Sequence, residues 1–288
     1  MALILGVLGD SYRRQLRHLS NRAPIDVVIE KVAALSQEFD IRPIGVDFSV
    51  GQLASKEGAY LDELKDRLDD LDMAPTVIVG TLNLTADRDL SGPALDDSVE
   101  NLEVAHRLGS PLGLFYFTYG GRVTREGRIR LATEQISWLA RAALSFDMRV
   151  TTENFDFFTS DDFIKIFEGV GLENVGLHSD TGNWLMLGED PLEAIRKMAP
   201  YTYHAHVRDY LLRDGVYVSV PIGQGIVDFP PILDELKRVS EQRDRMVLAI
   251  EMDMDEGDES DEDQAVRECA RHMAHWYTRN VSKEKSPS

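Results

Sequence analysis

Residues 174–209, NVGLHSDTGNWLMLGEDPLEAIRKMAPYTYHAHVRD, contain one complete strand–helix–strand unit. The apolar run Val175–Asp180 and the alternating run Thr202–Val207 predict two strands, and the amphipathic segment Pro191–Met198 predicts a helix between them. Strands that are joined through a helix lie parallel to each other in one sheet. The order of elements in this stretch therefore indicates an α/β fold.

Similar units lie on both sides of this stretch. The predicted strands are Leu3–Leu8, Pro43–Phe48, Thr76–Thr81, Leu112–Tyr116, Arg149–Glu153, Val175–Asp180, Thr202–Val207 and Met246–Glu251. The predicted helices are Asp26–Phe39, Ala59–Leu71, Asp96–Leu108, Glu126–Ser145, Asp161–Glu168, Pro191–Met198, Pro230–Ser240 and Gln264–Tyr277. Eight such units in 288 residues favour a single (β/α)8 TIM barrel over residues 1–281, followed by a flexible polar tail over residues 282–288. No G-x-G-x-x-G motif follows a predicted strand, which disfavours an open dinucleotide-binding sheet.

The composition limits the classes of partner. The formal net charge is −19, whereas a nucleic-acid or anionic-membrane surface needs clustered lysine and arginine. The single cysteine, Cys269, cannot form an internal disulfide, and its place in a predicted helix indicates a small buried side chain. The first residues lack a signal-peptide layout and no segment reaches transmembrane length, so we expect a cytoplasmic protein.

Four chemically reactive side chains each stand at the C-terminal end of a different predicted strand. They are Glu153, Asp180, His206 and Glu251. Strand ends that meet at the mouth of a barrel bring together residues that are far apart in sequence. Three carboxylates and one imidazole suit Mn²⁺, Mg²⁺, Co²⁺ or Zn²⁺ and leave positions for a substrate. The pattern therefore predicts a site for one divalent metal ion in an enzyme.

More ionisable groups are expected inside the same barrel, because alternate residues of a strand face the same side. His204 shares a face with His206 and Arg208, and His178 shares one with Asp180. Taken singly, a glutamate at a strand end is more often an ion-pair partner, and an inward histidine is more often a hydrogen-bonded core residue. Four consecutive strands with such groups favour a metal site, since buried charges are costly unless they are paired or metal-bound.

Four motifs resemble those of a known family, the xylose isomerase-like TIM barrels of the sugar phosphate isomerase/epimerase superfamily. The motifs are E-N at Glu153–Asn154, N-V-G-L-x-x-D-T-G-N at Asn174–Asn183, H-x-H-V-R-D at His204–Asp209 and G-Q-G-x-V-D-F at Gly223–Phe229. The resemblance covers most of the chain, although the first four strands match only in pattern. It implies a metal-dependent enzyme that acts on a small-molecule carbohydrate.

The resemblance also implies roles for individual residues. The metal ligands of the family fall on Glu153, Asp180, His206 and Glu251, with Mn²⁺ as the first expectation. The two glutamates are expected to remove and return the proton next to a carbonyl, through an enediolate, as general acid and base. Many members have a histidine at the position of Asn183 and a lysine at that of Arg208, so we expect these two residues to bind substrate.

Further residues extend this predicted site. His178 and His204 are candidate acid/base groups, and a role for His178 as the partner of a ligand is an equal alternative. Trp184 is the best candidate for a wall of the substrate site, because it follows the Asp180 motif closely. The acidic run at residues 253–263 is expected to be a solvated loop near the mouth that repels anionic substrates.

Several functions remain open at this point. An isomerase or epimerase of a sugar, keto-sugar or cyclitol is the leading prediction. A lyase or dehydratase, which includes a C-glycoside deglycosidase subunit, begins with the same proton removal. An endonuclease IV-like hydrolase would need more metal ligands and a basic surface, and a non-catalytic sugar-binding barrel would not need both glutamates. The oligomeric state is also open, and a homodimer or tetramer is common in the family that the chain resembles.

Overall fold

Eight parallel strands close into one barrel in the computed structural model, which describes residues 3–155, 157–254 and 259–281. In chain order the strands are β1 (Leu3–Leu8), β2 (Ile44–Ser49), β3 (Met73–Leu84), β4 (Leu112–Tyr119), β5 (Arg149–Glu153), β6 (Val175–Asp180), β7 (Thr202–Val207), β8 (Asp209–Arg213), β9 (Val216–Val220) and β10 (Met246–Ile250). Strands β8 and β9 form a separate antiparallel hairpin, and β10 closes the barrel by pairing with β1. The predicted (β/α)8 barrel is therefore confirmed.

Helices follow the strands and cover the outside of the barrel. They are α1 (Arg13–Leu16), α2 (Pro24–Phe39), α3 (Gly58–Asp70), α4 (Arg88–Arg107), α5 (Arg125–Ala143), α6 (Ser160–Val170), α7 (Asn183–Met186), α8 (Pro191–Met198), α9 (Phe229–Ser240) and α10 (Glu259–Asn280). Their apolar faces pack against the outward side chains of the strands and form the main hydrophobic core. Among the described residues, no helix is both long enough and apolar enough to cross a bilayer.

The elements agree with the predicted ones except at a few places. Helix α4 begins at Arg88 rather than at Asp96, because the Asp87 carboxylate accepts the Asp89 N–H at 3.0 Å and caps an earlier start. The β8–β9 hairpin was not predicted. Its turn residues Asp214 and Gly215 have φ of 51° and 81°, as a type I′ turn requires, and Asp-Gly between alternating apolar residues is the sequence signal for such a hairpin.

The barrel interior changes character along its axis. Near the N-terminal ends of the strands it is filled by small and aliphatic side chains, namely Ile4, Ala74 and Val247. Gly6 and Gly45 leave room there for the Val247 side chain, since a Cβ at Gly45 would lie 2.5 Å from Val247 Cγ1. The ionisable groups stand nearer the C-terminal ends, where TIM barrels place their active sites.

Two predicted features fall partly or wholly outside the described residues. The tail over residues 282–288 lies outside them, and so do residues 255–258 of the acidic run. Asp253, at the start of that run, is placed at the barrel mouth and forms ion pairs with Arg13 and Arg208. Cys269 is buried in α10, as its position in a predicted helix suggested.

Candidate functional site

The four side chains predicted to bind a metal converge at the mouth of the barrel. Each of Glu153, Asp180, His206 and Glu251 is buried, and each offers one ligand atom that lies within 4.8 Å of the others. His206 Nδ1 lies 2.8 Å from Glu251 Oε2 and 3.8 Å from Glu153 Oε2. These four residues are called the four-residue cluster below. Barrel closure brings β5, β6, β7 and β10 together at this end, and the ends of these strands carry the cluster.

The two carboxylate oxygens of Asp180 have different roles: one accepts backbone N–H groups, and the other faces the cluster. Oδ1 accepts the backbone N–H groups of Gly182 and Asn183, each at 2.8 Å, and thereby begins α7. The Asn154 side chain holds the Asp180 backbone, since its Oδ1 accepts the Asp180 N–H at 2.7 Å and its Nδ2 donates to the Asp180 carbonyl at 3.0 Å. Oδ2 remains turned toward the cluster. The E-N and D-T-G-N motifs therefore orient one carboxylate.

His206 is held by a carboxylate that the sequence analysis left without a role. His206 Nε2 lies 3.3 Å from Asp47 Oδ2, so the ring presents Nδ1 to the cluster. Burial alone would lower the pKa of His206, but the hydrogen bond to Asp47 and the charges of Glu153 and Asp180 raise it. The raised pKa favours the imidazole with a proton on Nδ1, and a metal ion bound at Nδ1 would replace this proton. The signal for Asp47 was a single charged residue in the apolar strand IGVDFS.

His204 lies deeper in the barrel than the cluster. It precedes His206 by two residues, which places it about 6.6 Å further from the mouth. Its side chain is fully buried, and its Nε2 lies 2.7 Å from Asp47 Oδ2. The expected acid/base role would need His204 to reach the mouth, whereas His206 and Asp47 lie between its side chain and the mouth. The side chain holds Asp47 instead.

His178 contacts Glu153 directly. Its Nε2 lies 3.2 Å from Glu153 Oε2, and its ring meets the edge of the Tyr116 ring. Burial lowers the pKa of His178 to about 4, so the ring is neutral near pH 7. Burial would raise the pKa of Glu153, but the hydrogen bond from His178 and the charge of His206 lower it to about 2. Of its two predicted roles, His178 therefore fits that of a partner to a ligand.

Asn183 and Arg208 also contact the cluster itself. Asn183 Nδ2 donates to Glu153 Oε1 at 2.6 Å, so the amide orients that carboxylate. Arg208 Nε lies 3.2 Å from Asp180 Oδ2, and its Nη2 is paired with Glu251 Oε1. Burial opposes the charge of Arg208, yet the surrounding carboxylates raise its pKa above the usual range. Both residues were predicted to bind substrate, and both hold ligand carboxylates in place.

Trp184 does not line the mouth. Its indole is fully buried, Nε1 donates to Ser179 Oγ at 3.1 Å, and its ring meets Phe163 of α6 edge-on. Ser179 alternates with the inward residues His178 and Asp180, so it faces the helices. The predicted substrate wall would need Trp184 at the mouth, whereas the short helix α7 turns this side chain into the core between β6 and α6.

The cluster has the chemistry of a divalent-metal site. Asp180 Oδ2, His206 Nδ1 and Glu251 Oε2 are buried and make no hydrogen bond of regular geometry with a described residue. Their close contacts are ion pairs, between Nδ1 and Glu251 Oε2 and between Asp180 Oδ2 and Arg208 Nε. Burial raises the pKa of Asp180 to about 6, which shows the cost of gathering carboxylates here. A divalent cation would bind these oxygen and imidazole ligands, and it would also neutralise the charge of the carboxylates. The residues present therefore fit such an ion.

A cavity of about 420 Å³ opens beside the cluster. Asp10, Ser49, Lys56, Thr81 and Tyr116 contribute polar groups to its lining. Tyr116 joins it to the cluster, because the ring contacts His178. A larger cavity of about 540 Å³ lies between the β8–β9 hairpin and α10, and Met252 and Asp253, which follow Glu251, are part of its lining. No cluster residue lines either cavity, so each borders the cluster through a neighbouring residue.

Comparisons with known proteins place the chain among related barrels. In the solved structures, D-psicose 3-epimerase from Clostridium cellulolyticum H10 is 16% identical, with 95% of this chain and 99% of that one covered and a TM-score of 0.74. The IOLI protein with a bound zinc atom is 16% identical, with 97% and 100% covered and a TM-score of 0.73. The probable 3-DHS dehydratase AsbF from Bacillus anthracis is 12% identical, with 97% and 100% covered and a TM-score of 0.66. At these identities the likeness shows the fold.

The family assignment comes from sequence. No curated protein matches the chain significantly. A family model described as xylose isomerase-like TIM barrel matches residues 38–275, which is most of the chain and includes all four cluster residues. The chain therefore belongs to the xylose isomerase-like TIM barrel family.

Proposed function

We propose that this protein is a divalent-metal-dependent isomerase or epimerase that acts on a sugar, keto-sugar or cyclitol. The observation that carries this proposal is the convergence of Glu153, Asp180, His206 and Glu251 in one buried cluster at the barrel mouth. Structures named as an epimerase and as a zinc-bound protein share the fold, which supports the proposal without deciding the reaction.

The four cluster residues would hold one metal ion. Carboxylates suit Mg²⁺ and Mn²⁺ and imidazole suits Zn²⁺ and other transition ions, so Mn²⁺ is our first choice for a mixed set. When bound, such an ion lowers the free energy of negative charge on the oxygen of an adjacent substrate carbonyl. Asp47 and Asn154 support the site from outside, through His206 and Asp180.

Glu153 and Glu251 are the groups that we assign to proton transfer. They stand on β5 and after β10, so they approach a bound substrate from different sides of the mouth. The pKa of Glu153, about 2, keeps its carboxylate ionised near pH 7 and so able to accept a proton, while the same shift lowers its strength as a base. One glutamate would remove the proton next to the carbonyl, and the other would return a proton to the opposite face or to the neighbouring carbon.

The cavity beside the cluster suits a small polyhydroxylated ligand. Hydroxyl, amide, carboxylate and ammonium groups line it, as hydrogen-bonding partners for sugar hydroxyls. The many carboxylates at the mouth, which include Asp10 and Asp253, disfavour a highly anionic substrate. We therefore place the substrate between this cavity and the four-residue cluster.

The test combines metal analysis with isotope exchange. The purified protein is reconstituted with Mn²⁺, Mg²⁺, Co²⁺ or Zn²⁺ and incubated in D₂O with ketoses, inososes and 3-oxo-glycosides. Deuterium next to the carbonyl of recovered or isomerised sugar is the expected result. Loss of water or of an aglycone from the substrate would instead identify a lyase, since that reaction begins with the same proton removal. Failure to bind any of the four ions would overturn the proposal.

A further inference from the structure

Three hydrogen bonds connect Arg208 to Glu153 through two neutral side chains. Arg208 Nη1 donates to Tyr210 Oη at 2.7 Å. Tyr210 Oη donates to Asn183 Oδ1 at 3.0 Å, and Asn183 Nδ2 donates to Glu153 Oε1 at 2.6 Å. All four side chains are buried. This series of hydrogen bonds therefore crosses the site from a cation directly after β7 to a candidate metal ligand on β5.

The chemistry of its two ends sets the direction of every bond in this chain. A guanidinium group can only donate, so Tyr210 Oη must accept from Arg208 and give its single proton to Asn183. An ionised carboxylate can only accept, so Asn183 must turn its NH₂ group toward Glu153. The opposite amide orientation would place Oδ1 against the carboxylate oxygen. The Tyr210 hydroxyl thus stabilises, from the side of Oδ1, the same amide orientation that the Glu153 carboxylate favours from the side of Nδ2.

The surrounding packing leaves Tyr210 little freedom to move. A Cβ atom at Gly182 would lie 2.6 Å from the Tyr210 ring, so the glycine of the D-T-G-N motif admits the ring. Arg208 is anchored in turn by ion pairs with Asp180, Glu251 and Asp253. With both neighbours fixed, the hydroxyl stands between the guanidinium and the amide. Packing therefore holds the Tyr210 hydroxyl within hydrogen-bonding distance of both Arg208 and Asn183.

We propose that Tyr210 is a positioning residue for Glu153. Its hydroxyl fixes the Asn183 amide, which occupies Glu153 Oε1 and leaves Oε2 facing His178 and the cluster. The part of this inference that concerns metal affinity rests on the proposed function. The part that concerns the Asn183 amide stands on the described contacts alone, so the two can fail separately.

The first experiment measures metal affinity, by competition with a chelator, in Tyr210→Phe. This change keeps the ring and removes the hydroxyl, and we expect Mn²⁺ to bind about tenfold more weakly, the lower end of the usual cost of losing a group that orients a ligand. Tyr217→Phe is the matched control. Tyr217 packs against the Tyr210 ring, but its hydroxyl makes no hydrogen bond with a described residue. It should bind Mn²⁺ like the unmodified protein.

A double-mutant cycle separates positioning from general loss of structure. If Tyr210 acts through the Asn183 amide, Tyr210→Phe should have little further effect on Mn²⁺ affinity once Asn183→Ala is present. Additive losses in the two variants would show that Tyr210 affects the site by another route, and would overturn the proposal. Urea unfolding of each variant checks that the fold is retained.

The second experiment needs no metal. In the ¹⁵N spectrum of the metal-free protein, the Asn183 side-chain NH₂ signals are identified by their loss in Asn183→Ala. We expect these protons to exchange slowly with solvent, and Tyr210→Phe to shift them and speed their exchange, with no change in Tyr217→Phe. Unchanged signals in Tyr210→Phe would refute the positioning role. If these signals respond as expected while no ion binds, the proposed function fails and the positioning inference stands.

Discussion

Three of the cluster residues use one polar atom for structure and turn another toward the cluster. Asp180 Oδ1 caps α7 while Oδ2 faces inward, and His206 Nε2 contacts Asp47 while Nδ1 faces Glu251. Glu153 Oε1 accepts from Asn183 and its Oε2 contacts His178. Buried polar atoms that are satisfied on one side hold a rotamer, so the remaining atoms converge without having to be ordered when a ligand binds.

Replacement of either glutamate by glutamine should abolish proton transfer. Glu153→Gln and Glu251→Gln retain the shape and a coordinating oxygen but lose the basic oxygen, so exchange of the substrate proton should fall at least about a hundredfold. Metal affinity should fall less. The measurement is deuterium incorporation in D₂O with the reconstituted protein, and Glu193→Gln on exposed α8 is the control. Rapid exchange in either cluster variant would mean that another group takes the proton.

Loss of the His206 side chain should abolish metal binding. Loss of the Asp47 carboxylate, which contacts His206, should weaken metal binding. We expect His206→Ala to reduce Mn²⁺ affinity more than about a hundredfold and Asp47→Asn to reduce it about tenfold. His18→Ala should have no effect, because this exposed imidazole makes no hydrogen bond with a described residue. Chelator competition gives all three values. An Asp47→Asn protein with unchanged affinity would show that the ring orientation does not depend on Asp47.

Among the secondary-structure elements, the connection after β7 holds residues next to the candidate site. The hairpin begins at Asp209, whose two carboxylate oxygens accept four backbone N–H groups, from Tyr210, Gly223, Gly225 and Val227. Only glycine fits at position 225, since a Cβ there would lie 2.1 Å from Asp209 Oδ1. One carboxylate therefore holds the G-Q-G loop against the start of β8, directly after Arg208.

Removal of this carboxylate should destabilise the protein. Asp209→Ala leaves four N–H groups without their acceptor, and we expect the free energy of unfolding to fall by about 3 kcal/mol. Asp228→Ala is the control in the same loop, because this exposed side chain makes no hydrogen bond with a described residue. It should change the free energy by less than about 0.5 kcal/mol. Urea unfolding measures both, and equal values would contradict the assigned role.

At the scale of the whole molecule, α10 packs over the seam where β1 and β10 close the barrel. Tyr277 Oη donates to the Leu3 carbonyl at 2.9 Å, and Ser11 Oγ donates to the Ile250 carbonyl at 3.2 Å. Cys269 lies on the buried face of this helix, and its Sγ accepts the Ile222 N–H at 3.4 Å. Exposure of its thiol therefore requires the outer layer of the barrel to open.

Cys269 should report on that opening. Burial raises the pKa of the thiol to about 12 from an ordinary value of 9.0, so the native protein should resist alkylation at pH 8 while urea-unfolded protein reacts fully. As the pH rises from 9 toward 12, the unfolded thiol ionises first, so the stability that this group contributes is lost over that range. Cys269→Ala should lack this contribution. Rapid labelling of the native protein would contradict the burial.

The residue pattern by itself determined the eight strand–helix units and the positions of Glu153, Asp180, His206 and Glu251 at strand ends. These features are local, because hydrophobic periodicity and turn residues act over a few positions. The parallel order then requires such ends to meet at one face, so the candidate metal ligands could be chosen before any distance was known.

Tertiary structure alone decided how the side chains pair. Asp47 and His206 are separated by 159 residues in the chain, and Tyr210 meets Asn183 across 27. Such contacts depend on barrel register and on rotamers that packing selects, and periodicity carries neither. Trp184 shows the same limit, since a single turn of helix sent its ring into the core rather than to the mouth. The sequence predicts which residues lie at the mouth of the barrel, whereas closure of the barrel determines which of their atoms are in contact.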